Sequence, residues 1–284
     1  MQATVSGASA TITTHAAGAA VPAVRGTARR LPRMHPLFAA ASLAVAIAAA
    51  GLAGAALWRH KSDARQIEIA EWQRLAASTG DAPSLRQLAM AAAAGETAAR
   101  AALGETLMSQ SDAAARAQGE RWLRMAAEAG HARAQFVLGK AAMLGGLASG
   151  QADFALAWQQ LQPAAQAGDV GAAYYLGLLY RGGHGRDANP AEAARWLRAA
   201  AEGGVAQAMF LLANAYRAGD GVPRDDARAL VWYRAAAERE HPAATQALAM
   251  AYRDGELGLA PDAENYRQHM AEAAHALKHP ALNP

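Results

Sequence analysis

The sequence predicts an all-α fold: a right-handed α-solenoid of about five helix-pair repeats behind one N-terminal transmembrane helix. Three observations lead to this prediction. A pattern of apolar residues and glycines recurs with a period of about 36 residues, which is the signature of stacked structural repeats. Alanine accounts for 83 of the 284 residues, which suits closely packed helices. A stretch of 22 residues near the N-terminus carries no charge.

The clearest repeat is the segment 205–240, whose pattern predicts two helices joined by a tight turn. Glycines at 219 and 221 break the first helix, and Asp225 is placed to cap the second. The apolar positions of the first helix follow helical spacing: Ala208, Leu212, Ala213 and Tyr216. Those of the second helix form one face, on which the tryptophan fills the space between small residues: Ala229, Trp232, Ala236 and Ala237.

The same positions recur one period earlier, and weaker copies precede and follow the two central units. The earlier central unit has Ala172, Leu176, Gly177, Tyr180, Gly183, Gly185, Ala193, Trp196, Ala200, Ala201 and Gly204. Written out, the pattern A-x-x-x-L-G-x-x-Y-x-x-G-x-G-V-x-x-D-x-x-x-A-x-x-W-x-x-x-A-A-x-x-G resembles the Sel-1-like repeat family, an α-solenoid related to tetratricopeptide repeats. The resemblance covers roughly 85–274 and implies adaptor work, in which the repeats assemble protein complexes.

Several positions depart from this pattern. Glu240 stands where glycine is usual, Arg186 replaces a valine, and the last unit has lost its Gly-x-Gly turn. The loop 145–153 is two residues longer than its counterparts, so Trp158 falls two positions early. These departures shift individual boundaries and leave the period intact.

The N-terminal part is organised around the uncharged stretch. Residues 1–36 hold four arginines and no acidic residue, which predicts a disordered basic tail. Residues 37–58 are long enough to span about 30 Å of hydrocarbon as a helix, which predicts a membrane anchor. A cleavable signal peptide cut near Ala55 is the alternative. Flanking charges favour a cytoplasmic tail and periplasmic repeats in a bacterial inner membrane, by a margin of one charge.

The remaining boundaries follow from breaks in the pattern. Residues 59–83 are predicted to form a juxtamembrane linker helix, 84–277 the repeat domain, and 278–284 a frayed C-terminus. From residue 81 onward there are 19 basic and 21 acidic residues. The repeats are therefore not expected to bind nucleic acid. The chain has no cysteine, which excludes disulfides and cysteine-based sites.

No catalytic, cofactor or metal site is predicted. His269, Glu272 and His275 lie at i, i+3 and i+6, and the first and last of these point to opposite sides of a helix, whereas zinc requires convergent ligands. His131 and His241 occupy equivalent positions at the start of first helices, where turn residues are expected. We therefore expect no enzyme and no small-molecule substrate.

A partner-binding surface is predicted from three columns of residues spaced by 36. Arg181, Arg217 and Arg253 end three consecutive first helices. Two further columns lie beside them: Tyr174, Phe210 and Gln246, and Leu178, Asn214 and Met250. The functional interpretation is a groove for a partner segment, in which the arginines meet carboxylates. The structural interpretation is that each arginine complements the dipole of its helix.

The function expected from these observations is that of a membrane-anchored, non-enzymatic scaffold that binds proteins in the bacterial cell envelope. Two alternatives remain open. Signal cleavage would release a soluble exported repeat protein, and a cell-wall-active hydrolase would require convergent acid and base residues that the sequence does not offer.

Overall fold

The structure, a computed structural model, describes the backbone of residues 36–277 and the side chains of Ala55 and of residues 59–277. The chain divides into two units, residues 1–58 and residues 59–284. All regular elements in the described part are helices, twelve in number. Their bounds are α1 Pro36–Thr79, α2 Ala82–Ala93, α3 Thr97–Met108, α4 Ala113–Glu128, α5 Ala132–Leu144, α6 Phe154–Gln166, α7 Val170–Gly182, α8 Pro190–Glu202, α9 Ala206–Ala218, α10 Asp226–Ala237, α11 Pro242–Asp254 and α12 Ala263–Ala276.

From α3 onward the helices pack as consecutive pairs: α3–α4, α5–α6, α7–α8, α9–α10 and α11–α12. Each pair also packs on the next, through the second helix of one pair and the first helix of the following pair. The first helices α3, α5 and α7 additionally touch one another in sequence. The prediction of an all-helical array of repeating pairs is therefore confirmed for the described residues, and the first helices line one side of it.

Short polar side chains begin most of these helices. Asp225 caps α10 as predicted, because its carboxylate accepts the backbone N–H of Arg228 at 2.8 Å. Asp169 caps α7 in the same way. His131 and His241 cap α5 and α11 through Nδ1, which agrees with the turn role predicted for them. Such caps satisfy backbone donors that have no partner within the helix.

Close approach between paired helices depends on glycine facing leucine. A Cβ added at Gly177 would come within 2.9 Å of Leu197 Cγ. The equivalent contact in two earlier pairs would be 2.7 Å, for Gly104 against Leu123 and Gly139 against Leu161. In the α9–α10 pair the corresponding residues are Ala213 and Tyr233. Tyrosine and alanine thus stand at the positions that leucine and glycine occupy in the earlier pairs.

The position of the buried aromatic side chain in α10 differs from the prediction. Trp232 is only half-buried, and Tyr233, one residue later, is 1 % exposed and fully within the core. The apolar face of α10 is therefore rotated toward Tyr233. In α8 the predicted Trp196 is buried, at 8 % exposure. In α6 Trp158 is buried despite its displaced position, and its Nε1 donates to the backbone carbonyl of His184 at 2.7 Å.

Left-handed backbone persists where the repeat has lost its glycines. Glu240 has φ of 57°, although the equivalent Gly204 in the preceding unit has φ of 95°. Leu257 also has φ of 57°, at the position equivalent to Gly221. Packing of the array therefore imposes the turn conformation even where the side chain disfavours it.

The predicted linker helix forms the C-terminal part of α1. Ile69 and Ala76 of α1 are buried against α2 and α3, and Trp72 packs on the same cluster. The N-terminal end of the array is thus covered by the C-terminal part of α1. Arg65 adds a bidentate hydrogen-bonded pair with Glu96, at 2.7 and 2.9 Å.

The predicted membrane helix 37–58 falls within α1, whose backbone is helical there, but its side chains other than Ala55 lie outside the described residues. Within the residues that are described, no helix combines the length and apolar character needed to cross a membrane. The predicted basic tail, Pro36 excepted, and the predicted frayed end 278–284 also lie outside the described residues.

Candidate partner-binding site

The three arginines of the predicted surface lie in the last turns of α7, α9 and α11. Each precedes a glycine that ends its helix in the left-handed conformation, namely Gly183, Gly219 and Gly255. All three side chains are exposed. A cation at this place is stabilised by the helix dipole, so the structural interpretation of the column holds for all three arginines.

The three arginines differ in the ion pairs that they make. Arg217 pairs with Glu256 at 2.5 Å, and the two side chains are 45 % and 43 % exposed. Arg253 pairs with its neighbour Asp254 at 2.8 Å. Arg181 makes no ion pair with any described residue. Because exposed pairs contribute only about 0–1 kcal/mol, Arg217 and Arg253 remain able to exchange their partners.

Phe210 and Asn214 both contact the buried Tyr233. The Tyr233 hydroxyl donates to Asn214 Oδ1 at 2.5 Å, and its ring lies 6.0 Å from the Phe210 ring. Phe210 also stacks on His241 at 4.9 Å. Burial raises the pKa of the Tyr233 phenol, and the nearby Arg217 partly opposes this shift. The network fixes Asn214 so that its carboxamide oxygen is occupied within the chain.

Tyr174 differs from the role predicted for it. Its side chain is only 9 % exposed and packs edge-on against Tyr175, with ring centroids 5.1 Å apart. Burial raises the pKa of the Tyr174 phenol, and the charge of Arg181 opposes this shift. Most of Tyr174 therefore belongs to the core, because its column turns inward at this unit, and little of it is available to a partner.

A cavity of about 140 Å³ lies between α7, α8 and α9, and it brings two of the predicted residues together. Arg181 and Asn214 both line it. Asp220, which the sequence analysis did not single out, lines it as well. The signal that could have found Asp220 is its spacing, since it lies 36 residues before Glu256, the partner of Arg217. Tyr233 was missed for a different reason, because Trp232 occupied the expected position beside it.

The described residues contain no group of three or more histidine, aspartate or glutamate side chains that could hold a metal ion. His269 instead hydrogen-bonds through Nδ1 to the backbone carbonyl of Asn265 at 2.9 Å and contacts the ring of Tyr252. The polar groups that the site does present are hydrogen-bond donors and acceptors on a rigid helical support.

Comparison with known proteins finds a matching family model. The model of the Sel1 repeat matches residues 113–131, 170–205 and 206–241, which correspond to α4 and to the pairs α7–α8 and α9–α10. In these segments the chain is similar to the Sel1 repeat. A search of curated proteins finds none whose sequence matches this chain.

Two solved structures carry the same kind of array. The chain is 32% identical, with a TM-score of 0.62 over 68% of its length, to c5321, a protective antigen of uropathogenic Escherichia coli strains that displays an SLR fold. The chain spans only 41% of that protein. It is 29% identical, with a TM-score of 0.58 over 67% of its length, to a Sel1 repeat protein from Oxalobacter formigenes, of which it covers 75%.

Sel1 repeat proteins generally mediate protein–protein interaction. Scaffolds of this fold are typically non-enzymatic.

Proposed function

We propose that this protein is a membrane-anchored scaffold whose Sel1 repeats form a right-handed solenoid and bind a protein partner in the bacterial cell envelope. The observation that carries the proposal is the row of exposed arginines along the first helices, Arg181, Arg217 and Arg253, with the partly buried Asn214 beside them. Repeat arrays of this kind bind partners along such extended surfaces, because each unit adds one strip of contacts. No small-molecule substrate is needed for this role.

The membrane anchor is the second part of the proposal. The uncharged stretch 37–58 supports it, and the basic residues before that stretch support periplasmic repeats. In this arrangement the partner is a periplasmic protein or the periplasmic part of another membrane protein. Cleavage near Ala55 would instead release the repeats as a soluble exported protein.

Site-specific photocrosslinking in the native host tests the partner-binding surface. A photoreactive phenylalanine analogue is placed at Arg217 on a first helix and, as a matched control, at Val231, which is 62% exposed on a second helix. We expect a discrete crosslinked protein from position 217 and none from position 231. Equal crosslinking at both positions, or none at position 217, would contradict the proposed surface.

Protease protection of a C-terminally tagged chain tests the anchor. Intact and outer-membrane-permeabilised cells are treated with protease and then fractionated. We expect a full-length, membrane-bound chain whose repeats are cut only after permeabilisation. Repeats protected until lysis would reverse the orientation, and a shortened soluble product would replace the anchor with a cleaved signal.

A further inference from the structure

The cavity between α7, α8 and α9 has an apolar floor and a polar rim. Its floor includes the buried side chains of Ala193, Ala194 and Leu197 from α8. Its rim includes Arg181 and Asp220, which are both exposed and make no side-chain hydrogen bond or ion pair with any described residue. The rim therefore offers one charged donor and one charged acceptor, with no net charge.

The next unit shows why this cavity stays open. There Arg217, equivalent to Arg181, reaches Glu256, equivalent to Asp220, and the two form an ion pair. Aspartate is one methylene shorter than glutamate, so the same pairing is not made at Arg181. The larger Tyr233 also occupies the position of Leu197 and extends to Asn214. The smaller Leu197 leaves an apolar floor open beside Arg181, whereas the cavity beside Arg217 in the next unit is lined by Arg224, Asp226 and Glu256.

We propose that this cavity binds an uncharged aliphatic side chain of an extended partner segment, whose adjoining peptide groups lie between Arg181 and Asp220. This inference rests on the proposed partner-binding function and identifies the chemistry of the partner. An apolar cavity of about 150 Å³ is known to hold a benzene-sized group, so 140 Å³ accommodates a leucine or valine side chain. Arg181 donates to a peptide carbonyl, and Asp220 accepts a peptide N–H.

An acidic side chain, which the arginine column by itself would suggest, is disfavoured in this cavity. The carboxylate of Asp220 would face it, and two like charges in one site repel each other. The floor of alanine and leucine side chains offers no donor to a buried carboxylate, whose transfer from water is costly. A neutral peptide unit can accept from Arg181 and donate to Asp220, while its aliphatic side chain contacts the apolar floor.

Selection from a random dodecapeptide phage library on the detergent-solubilised full chain tests this inference. Enriched peptides are then synthesised with a fluorescent label, and their Kd values are measured by anisotropy. We expect a shared aliphatic position with no acidic residue beside it. We expect alanine substitution at that position to weaken binding by about tenfold or more, since a buried aliphatic side chain contributes roughly 1.5–3 kcal/mol.

Variants of the cavity sharpen the test. Leu197→Tyr places on the cavity floor the larger ring that the next unit has at this position, and it is expected to weaken binding of the selected peptide at least tenfold. Asp220→Glu, on an exposed side chain, is expected to pair with Arg181 and weaken binding about threefold, in line with the strength of exposed ion pairs. Arg234→Gln, on an exposed arginine of the second helix α10 outside both the cavity and the proposed row, is the matched control and should leave Kd unchanged.

Three results would overturn the inference: no enriched peptide, an acidic consensus, or a Kd that neither cavity variant changes. If Leu197→Tyr fails to fold by circular dichroism, Asp220→Glu carries the same comparison. The outcome is separable from the proposed function. If a crosslinked partner is found in cells and neither cavity variant changes its binding, the scaffold role is supported and the cavity inference is wrong. If peptides bind at the cavity but no partner is crosslinked in cells, only the cavity inference is supported.

Discussion

The pairs α7–α8 and α9–α10 follow one 36-residue pattern, yet their interiors are built differently. In the first pair, Leu197 faces Gly177, and a cavity remains beside Arg181. In the second, Tyr233 takes the place of Leu197 and is hydrogen-bonded to Asn214. The repeat pattern therefore specifies helices and turns, while the residues at the positions of Leu197 and Asp220 determine what lines the cavity in each unit.

The tryptophans of the two pairs provide the largest expected contrast. Trp196→Ala should reduce the free energy of unfolding by about 3–5 kcal/mol, the range for a buried aromatic truncation. Trp232→Ala should cost only about 2 kcal/mol, because Trp232 is half-buried and Tyr233 fills the core beside it. Urea denaturation followed by circular dichroism measures both values.

A control follows from the polar atom of Trp196. Its buried Nε1 has no hydrogen-bond partner among the described residues. Trp196→Phe removes this N–H and keeps an aromatic ring, so it should cost less than half as much as Trp196→Ala. If Trp196→Ala and Trp232→Ala prove equally destabilising, the difference in core construction drawn above is wrong.

The equivalent turn glycines of the two pairs provide the second contrast. Gly185 and Gly221 have nearly the same positive φ, 73° and 72°. A Cβ at Gly221 would overlap the backbone of Pro190, whereas a Cβ at Gly185 would lie 3.2 Å from Phe154 Cβ. We expect Gly185→Ala to cost about 1 kcal/mol from the left-handed backbone, and Gly221→Ala about 2–4 kcal/mol because overpacking adds to it.

Thermal and urea unfolding of the two alanine variants tests this expectation. The shared backbone term cancels in the difference between them, which leaves the contact with Pro190. Equal losses of stability would mean that the turn moves away from α8 at little cost, and that the first turn of α8 does not fix its position.

The sequence was sufficient for the helices, their pairing and most of their caps, because these depend on local spacing. Asp225 and His241 illustrate this, since each is recognisable as the residue before a helix. The closing of Arg217 on Glu256 and the opening at Arg181 depend on contacts between residues 39 apart and on a single methylene. Helical periodicity carries no information at that scale, so the cavity could not be predicted.

The burial of Tyr174 and Tyr233 escaped prediction for a related reason. Tyr233 lies next to Trp232, and a rotation of α10 by less than one residue decides which of the two enters the core, whereas Tyr174 is buried together with its neighbour Tyr175. That rotation is set by the neighbouring helices. The repeated apolar positions locate the buried face of a helix only to within about one residue, so they do not predict which of two neighbouring side chains is buried.

The ends of the two pairs give the third contrast, which is smaller. Gly204 follows α8 with φ of 95°, and Glu240 follows α10 with φ of 57°. A residue with a side chain pays about 1–2 kcal/mol in the left-handed region, and glycine loses part of this advantage through the entropy of the unfolded chain. We expect Glu240→Gly to stabilise the protein by about 0.5–1 kcal/mol.

Gly204→Ala, at the equivalent position, is the matched variant and should destabilise by about 1 kcal/mol. Midpoints of urea unfolding at constant slope measure both changes. A Glu240→Gly variant that is less stable than the parent chain would show that the Glu240 side chain makes a compensating contribution.

The turns that follow the two pairs, just before α9 and α11, should differ in how acid changes their stability. This is the smallest effect that we expect. The turn after α8 holds the apolar Val205, and the turn after α10 holds His241 at the equivalent position. His241 Nδ1 accepts the N–H of Ala244 at 3.2 Å, and Nε2 contacts Gln207 Oε1 at 2.6 Å. Both contacts suit the neutral imidazole with its proton on Nε2, and burial lowers the pKa of His241.

The direction of the pH dependence follows from linkage. A histidine whose pKa is lower in the folded state than in the unfolded state binds fewer protons when folded. Its contribution to stability is complete above the unfolded pKa of about 6.5 and is lost as pH falls through the folded pKa.

His241→Asn retains a capping side chain and removes the titration. Unfolding measured in urea from pH 8 to pH 5 should therefore depend less on pH in this variant. The residual dependence should include His131, whose pKa burial also lowers, so His131→Asn with His241→Asn should flatten the curve further. If the free energy of unfolding changes with pH in parallel for the parent chain and His241→Asn, protonation of His241 does not disturb the N-terminus of α11. The turns before α9 and α11 would then respond to acid alike.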